Sequence, residues 1–238
     1  MKIKSLIPNV LTFFNLFLGF SAIYFSFRGI FDLAAMAIML ATVFDMLDGR
    51  IARILNVHSD IGKELDSFSD LITFGMAPSF LFLNIVLTTG EIPPLLTVFI
   101  AFIYLITATL RLAYFNVHSS DGPTNIFSGM PSTFAGISIA TLFGFDYIPS
   151  LVENWFHFSF KLGFPVWAIV AIFLFYSLLM ISKFPYPKSS SWVLNFKSPM
   201  RILFNILFIT LLATAVKFLL LGVVIVYTLY PLLRIRDR

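Results

Sequence analysis

Two pairs of carboxylates lie close together in this chain, Asp45 with Asp48 and Asp66 with Asp70, in the stretch "DMLDGRIARILNVHSDIGKELDSFSD". Asp60 and Glu64 fall between them, so half of the 12 acidic residues occupy 26 of 238 positions. Grouped carboxylates hold hard divalent cations through oxygen, accept protons from hydroxyl groups, and with a cation between them can face a phosphate. Arg53 and two small residues, Gly49 and Ala52, lie among them. Cations, a guanidinium and bare backbone together suit a phosphorylated ligand, and a spare aspartate oxygen could take the proton of an attacking hydroxyl.

Helical geometry decides whether these groups can meet. At about 100° per residue, Asp45, Asp48, Gly49, Ala52 and Arg53 share one side of a helix. Gly62, Asp66 and Asp70 recur at i, i+4 and i+8 on one side of the next. Two antiparallel helices joined near "NVHSD" would then present four carboxylates to a shared cavity, with Arg53 one turn beyond the first pair. Such carboxylates repel one another unless positive charge lies between them, and all-oxygen ligands favour Mg2+, Mn2+ or Ca2+ over zinc. A solvated hairpin tip is the plainer account, but hydration does not explain four acids aligned on two facing sides. An aspartate at a span centre also costs about 2.5–3.5 kcal/mol on insertion scales.

The surroundings are apolar: 59% of the chain is hydrophobic, 12% is charged, and the mean hydropathy is +0.94. Bilayer-length runs recur from end to end, which indicates one integral-membrane domain over 1–238 and an all-α polytopic bundle. About eight transmembrane helices are expected, near 8–27, 31–54, 62–88, 94–116, 130–147, 164–182, 201–216 and 218–234. The basic start resembles a signal peptide, but its apolar run is longer than a signal core and no A-x-A site follows, so it reads as an uncleaved first span. With both termini cytoplasmic, thirteen of the 16 basic residues fall on cytoplasmic ends, and Arg28, Lys161 and Lys217 fall outside. The carboxylates then face the cytoplasm. The net charge of +4 comes from loop residues, and no basic stripe with interleaved aromatics points to nucleic acid. Cysteine is absent, which removes disulfides, thiolate metal sites and cysteine nucleophiles.

Other polar residues have simpler readings. Asn9 is expected to cap the first helix or to reach a nucleotide, and Asn15 needs a partner within the bundle. His58 reads as a loop residue, His118 and His157 lie in opposite-side loops, and Lys217 marks an outer turn. The 30 phenylalanines read as packing and lipid-facing residues, and "KFPYPKSSSWVLNFKSP" as an interfacial loop.

As spacing, the acidic stretch is D-x2-D-G-x2-A-R-x8-G-x3-D-x3-D from Asp45 to Asp70, without a departure. It resembles the signature of the CDP-alcohol phosphatidyltransferases. The resemblance implies that Asp45, Asp48 and Asp66 hold two Mg2+ or Mn2+ ions, and that Asp70 is both a ligand and the general base. It also implies that Gly49, Ala52, Arg53 and Gly62 border the CDP moiety and that Ser59 offers its hydroxyl to phosphate. The flanks "IPNVLTFFNLFLGF", "DLITFGMAPS", "LRLAYFN" and "FSGMPS" are similar to the membrane-integral phosphatidylserine synthases over roughly residues 5–140. Residues 160–238 add further helices. Tyr114 stands where an arginine is common, and Thr133 where a second proline is common.

The activity implied is transfer of the phosphatidyl group of CDP-diacylglycerol to L-serine, releasing CMP, by a homodimer in the cell membrane of a prokaryote. Serine's carboxylate calls for a cation, and Arg111 at the end of span four is the candidate; a snorkelling interfacial arginine is the alternative. Rival readings are the same reaction with glycerol 3-phosphate or inositol phosphate, a membrane prenyltransferase, and an ion transporter. Prenyltransferases usually separate their acidic motifs on distant helices, and a transporter has no need of G-x2-A-R between carboxylates.

Overall fold

The computed structural model describes residues 3–55, 59–118, 126–144 and 165–187. The last two expected spans, and the loop positions His58, His157, Lys161, Trp192 and Lys217, lie outside the described residues.

Helix α1 (Ile3–Phe27) and helix α2 (Phe31–Ile54) form an antiparallel pair, turned at Gly29, whose φ of +71° suits glycine. Small residues on α2, among them Ala34, Ala35 and Ala41, are buried and let the backbones approach, as membrane helices require in place of hydrophobic drive. Next comes one rod in three parts: α3 (Asp60–Asp70), a π-helical segment (Leu71–Met76) and α4 (Ala77–Thr89). Gly90, at φ +67°, closes it in the left-handed conformation. Helix α5 is Pro94–His118, helix α6 is Ser132–Ile139 with a second π-segment at Ala140–Gly144, and helix α7 is Val166–Ile181. Ile7–Phe27, Asp60–Thr89 and Pro94–Val117 are long and apolar enough to cross a bilayer, whereas Ser132–Phe143 and Val166–Ile181 are apolar but shorter. On α1, Phe13, Phe17, Phe20, Tyr24 and Phe27 are exposed along one stripe, the lipid-facing side of a membrane helix.

The core is helix on helix. Phe173 of α7 stacks on Phe82 at 3.9 Å and on Tyr104 at 4.7 Å. The Tyr104 hydroxyl donates to the Phe74 carbonyl at 3.1 Å, a main-chain acceptor within the π-segment, where the ordinary ladder is interrupted. Gly19 of α1 meets the same segment: a Cβ there would lie 2.8 Å from the Thr73 Cα. Gly19→Ala is therefore expected to push α1 away and to lower stability by about 2 kcal/mol, the range of an overpacked core. Gly49→Ala, inside α2 and with a Cβ that would meet nothing within 4 Å, should raise stability in detergent by about 0.5–1 kcal/mol.

The helical class holds, with one addition. Strand β1 (Ile126–Ser128) pairs antiparallel with strand β2 (Pro185–Pro187), Phe127 opposite Tyr186. Alternating prolines in "KFPYP" hold that segment extended, a local constraint that a search for apolar runs passes over. Below the ribbon, Gly129 N donates to Phe184 O and Met130 N to Leu179 O, so the end of α7 clasps the approach to α6.

Candidate active site

The acidic cluster lies where α1, α2 and α3 meet. One oxygen from each of Asp45, Asp48 and Asp66 lies within 4.8 Å of the others. Opposite ligands of a hard divalent ion are about 4–5 Å apart, because each metal–oxygen bond is about 2.0–2.6 Å. The Asp66 Oδ1 atom is buried and has no hydrogen-bond partner, a position that only a cation or a donor would satisfy. An all-carboxylate donor set with an orphaned oxygen fits a divalent cation such as Mg2+ or Mn2+. Asp70 stands one step back from the trio: its carboxyl adjoins that of Asp45, which also meets the Thr133 hydroxyl of α6.

Helix α1 supplies the facing wall. Thr12 Oγ1 lies 3.0 Å from Asp48 Oδ2 and 3.1 Å from the Pro8 carbonyl, and the carboxylate is the stronger acceptor for its one proton. Asn15 Nδ2 donates to Asp70 Oδ1 at 3.3 Å. Ser69 Oγ donates to the Thr12 carbonyl at 3.2 Å, pinning α3 to α1, while Asn116 Nδ2 of α5 holds Ser67 Oγ at 2.8 Å on the other side. Asp66 and Asp70 are thus fixed by hydroxyls on their own helix that reach both neighbours.

Beside the trio opens a cavity of about 190 Å³, room for roughly six waters. Its walls include Asp48, Gly49, Ala52, Ser59, Gly62 and Asp66, six residues singled out in the sequence for this purpose. Pro8, Asn9, Thr12 and Lys63 complete it. Ser59 caps α3, accepting from Gly62 N at 2.9 Å, and its hydroxyl proton stays available to a ligand.

Three placements differ from the sequence-based expectation. Arg53 is exposed and outside the cavity lining; its Nε donates to the Gly49 carbonyl at 2.8 Å, one turn back on α2. Arg111 is neither at the cavity nor snorkelling. It is 8% exposed, and its Nε donates to the Met130 carbonyl at 3.2 Å, which ties α5 to the approach to α6. Asn9 does not cap a helix, because α1 begins six residues earlier, and its side chain faces Gly62 across the cavity. Thr12 and Thr133 escaped sequence reasoning as site residues. Thr12 was within reach of it, since Asn9, Thr12 and Asn15 recur at i, i+3 and i+6 on one helix face.

The family model for CDP-alcohol phosphatidyltransferase matches residues 5–175. The chain belongs to the CDP-alcohol phosphatidyltransferase family. Among similar family members, the CDP-diacylglycerol–serine O-phosphatidyltransferase of Bacillus subtilis is 40% identical over 61% of this chain and 79% of its own length. The enzyme of that name from Helicobacter pylori strain 26695 is 28% identical over 86% of this chain and 82% of its own length. The archaetidylserine synthase of Methanothermobacter thermautotrophicus is 29% identical over 79% and 72%, respectively. The match covers all four aspartates and every described helix except the first two residues of α1 and the end of α7.

Proposed function

We propose that this protein transfers the phosphatidyl group of CDP-diacylglycerol to L-serine, forming phosphatidylserine and CMP. The observation that carries the reading is the convergence of Asp45, Asp48 and Asp66 beside a cavity walled by Gly49, Ala52 and Gly62. The similarity to enzymes named for serine supports the choice of acceptor.

Asp45, Asp48 and Asp66 would hold the divalent ions, two Mg2+ or Mn2+ on the family pattern, with Asp70 a further ligand. When bound, these ions neutralise the diphosphate and the charge that develops on departing CMP. Gly49, Ala52 and Gly62 let the diphosphate lie against backbone, while the Ser59 hydroxyl and Lys63 donate to its oxygens. Asp70 takes the proton of the serine hydroxyl. That oxygen then forms its bond to the lipid-bearing β-phosphorus as the bond to the α-phosphate oxygen breaks, and the electron pair leaves with CMP. The same reading places the site at the cytoplasmic face of a prokaryotic membrane and the chain in a homodimer.

Filling the cavity should weaken the donor lipid specifically. A Cβ on Gly62 would lie 3.2 Å from Asn9 Oδ1 and 3.4 Å from Ser59 Oγ, so a longer side chain enters the nucleotide's space. Gly62→Val is expected to raise the KM for CDP-diacylglycerol at least about tenfold, the weight of a few lost contacts, with the KM for serine unchanged.

A phosphorylated acceptor is the second reading. It would need extra cations at the cavity, where Lys63 is the basic residue among the described lining. Purified protein given CDP-diacylglycerol, Mn2+ or Mg2+, and serine, glycerol 3-phosphate or inositol phosphate decides between them. Phosphatidylserine with equimolar CMP is expected. Turnover of the phosphorylated alcohols in preference to serine, or no turnover with either metal, would contradict the proposal.

A further inference from the structure

Asn15 is fully buried on α1; its Nδ2 holds Asp70 Oδ1, and its own Oδ1 has no hydrogen-bond partner. A buried amide oxygen without a donor is unfavourable; a leucine of similar size would avoid that cost but would leave Asp70 Oδ1 without this donor, so the two effects largely offset. The junction of α1 with the α3 rod does not depend on the carboxamide. There, Thr73 Oγ1 donates to the Asn15 main-chain carbonyl at 3.1 Å, and Gly19 admits Thr73 to the helix surface. The carboxamide therefore brings the fold little net gain, and among the described residues the group it serves is the Asp70 carboxyl.

We propose that Asn15 is a positioning residue for the reaction: its Nδ2–H fixes the rotation of the Asp70 carboxyl by occupying Oδ1, which leaves the second oxygen to receive the acceptor's proton. A carboxamide suits the task because it donates without bearing charge or competing as a base. It also keeps Asp70 from turning both oxygens toward a cation held by Asp45 and Asp66. Asn15 itself touches neither substrate nor the reacting atoms; it acts through Asp70. The inference rests on the reading of Asp70 as general base.

The test compares wild type with Asn15→Leu and Asn15→Gln, each purified in detergent, for melting temperature, Mn2+ binding by electron paramagnetic resonance, and steady-state kinetics with CDP-diacylglycerol and serine. Asn15→Leu is expected to melt within about 4 °C of wild type, to bind Mn2+ and CDP-diacylglycerol within twofold of wild type, and to lose at least about tenfold in kcat. Asn15→Gln, which keeps a donor on a longer arm, should recover part of that loss. Unchanged kcat in Asn15→Leu would overturn the proposal. So would a melting temperature lowered beyond that margin or loss of Mn2+ binding alongside the activity, which would assign Asn15 to the fold or to the ion site, and so would equal losses in the two variants. A wild type that makes no phosphatidylserine would sink the preceding reading instead, so the two failures are distinguishable.

Discussion

Asp70→Asn should reduce phosphatidylserine formation by about 10²–10⁴-fold, the usual weight of a general base, while leaving most Mn2+ binding in place. The expectation of a split follows from the geometry. The three oxygens gathered within 4.8 Å belong to Asp45, Asp48 and Asp66; Asp70 adjoins them through Asp45 and is held from the far side by Asn15. A residue so placed contributes less to holding an ion than to meeting what the ion presents. Asparagine preserves the shape and removes the proton acceptor, so CDP-diacylglycerol should still bind with a near-normal KM. Tenfold in rate is about 1.4 kcal/mol, so the loss corresponds to about 3–5 kcal/mol of transition-state stabilisation. CMP release and lipid product, measured together at saturating serine, check it. Loss of Mn2+ binding equal to that of the trio variants would make Asp70 chiefly a ligand.

Asp66→Asn should have the opposite signature. Its Oδ1 is buried without a partner, and an amide would bring either a donor or an uncharged oxygen to the place where a cation is wanted. Wild-type protein treated with a chelator is expected to be inactive and to recover fully with Mn2+ or Mg2+. Asp66→Asn should need at least about 100-fold more Mn2+ to recover, because second-shell changes alone cost 10–100-fold and this residue is placed to bind the ion directly. The metal-free variant should also melt higher than metal-free wild type, since one charge is removed from a group of repelling carboxylates in a low-dielectric setting. A gain in stability with a loss of function marks a site kept for chemistry. Chelator titration of activity beside thermal unfolding in detergent reads both effects.

Much of this site was legible because a helix converts spacing directly into direction. Gly62, Asp66 and Asp70 at four-residue intervals, and Asp45, Asp48, Gly49 and Ala52 within two turns, can face a neighbour in only one way once both segments are helical. Described helices α1, α2, α5 and α7 fall close to the expected spans for the same reason. What escaped depends on side-chain reach and on contacts distant in sequence. Arg53 is at the right angle on α2 but is long enough to fold back onto Gly49, which periodicity cannot express. Arg111 finds its acceptor at Met130, across a loop whose course no local pattern specifies. The π-segment that follows Asp70 has an ordinary apolar sequence, and its Phe74 carbonyl is met by Tyr104, thirty residues on. Thr12 gave only a weak signal beside Asn9 and Asn15: a single hydroxyl in a membrane helix usually bonds its own backbone, and here Asp48 competes for it.

On this reading, α2 and α3 aim their carboxylates at a common divalent ion. An anomalous-scattering map from crystals grown with Mn2+ and CDP-diacylglycerol tests this most directly. It should show manganese bonded to at least one oxygen each of Asp45, Asp48 and Asp66, with the diphosphate on its open side. Manganese bound elsewhere, or those three side chains turned apart around an empty centre while the nucleotide is seated, would contradict it.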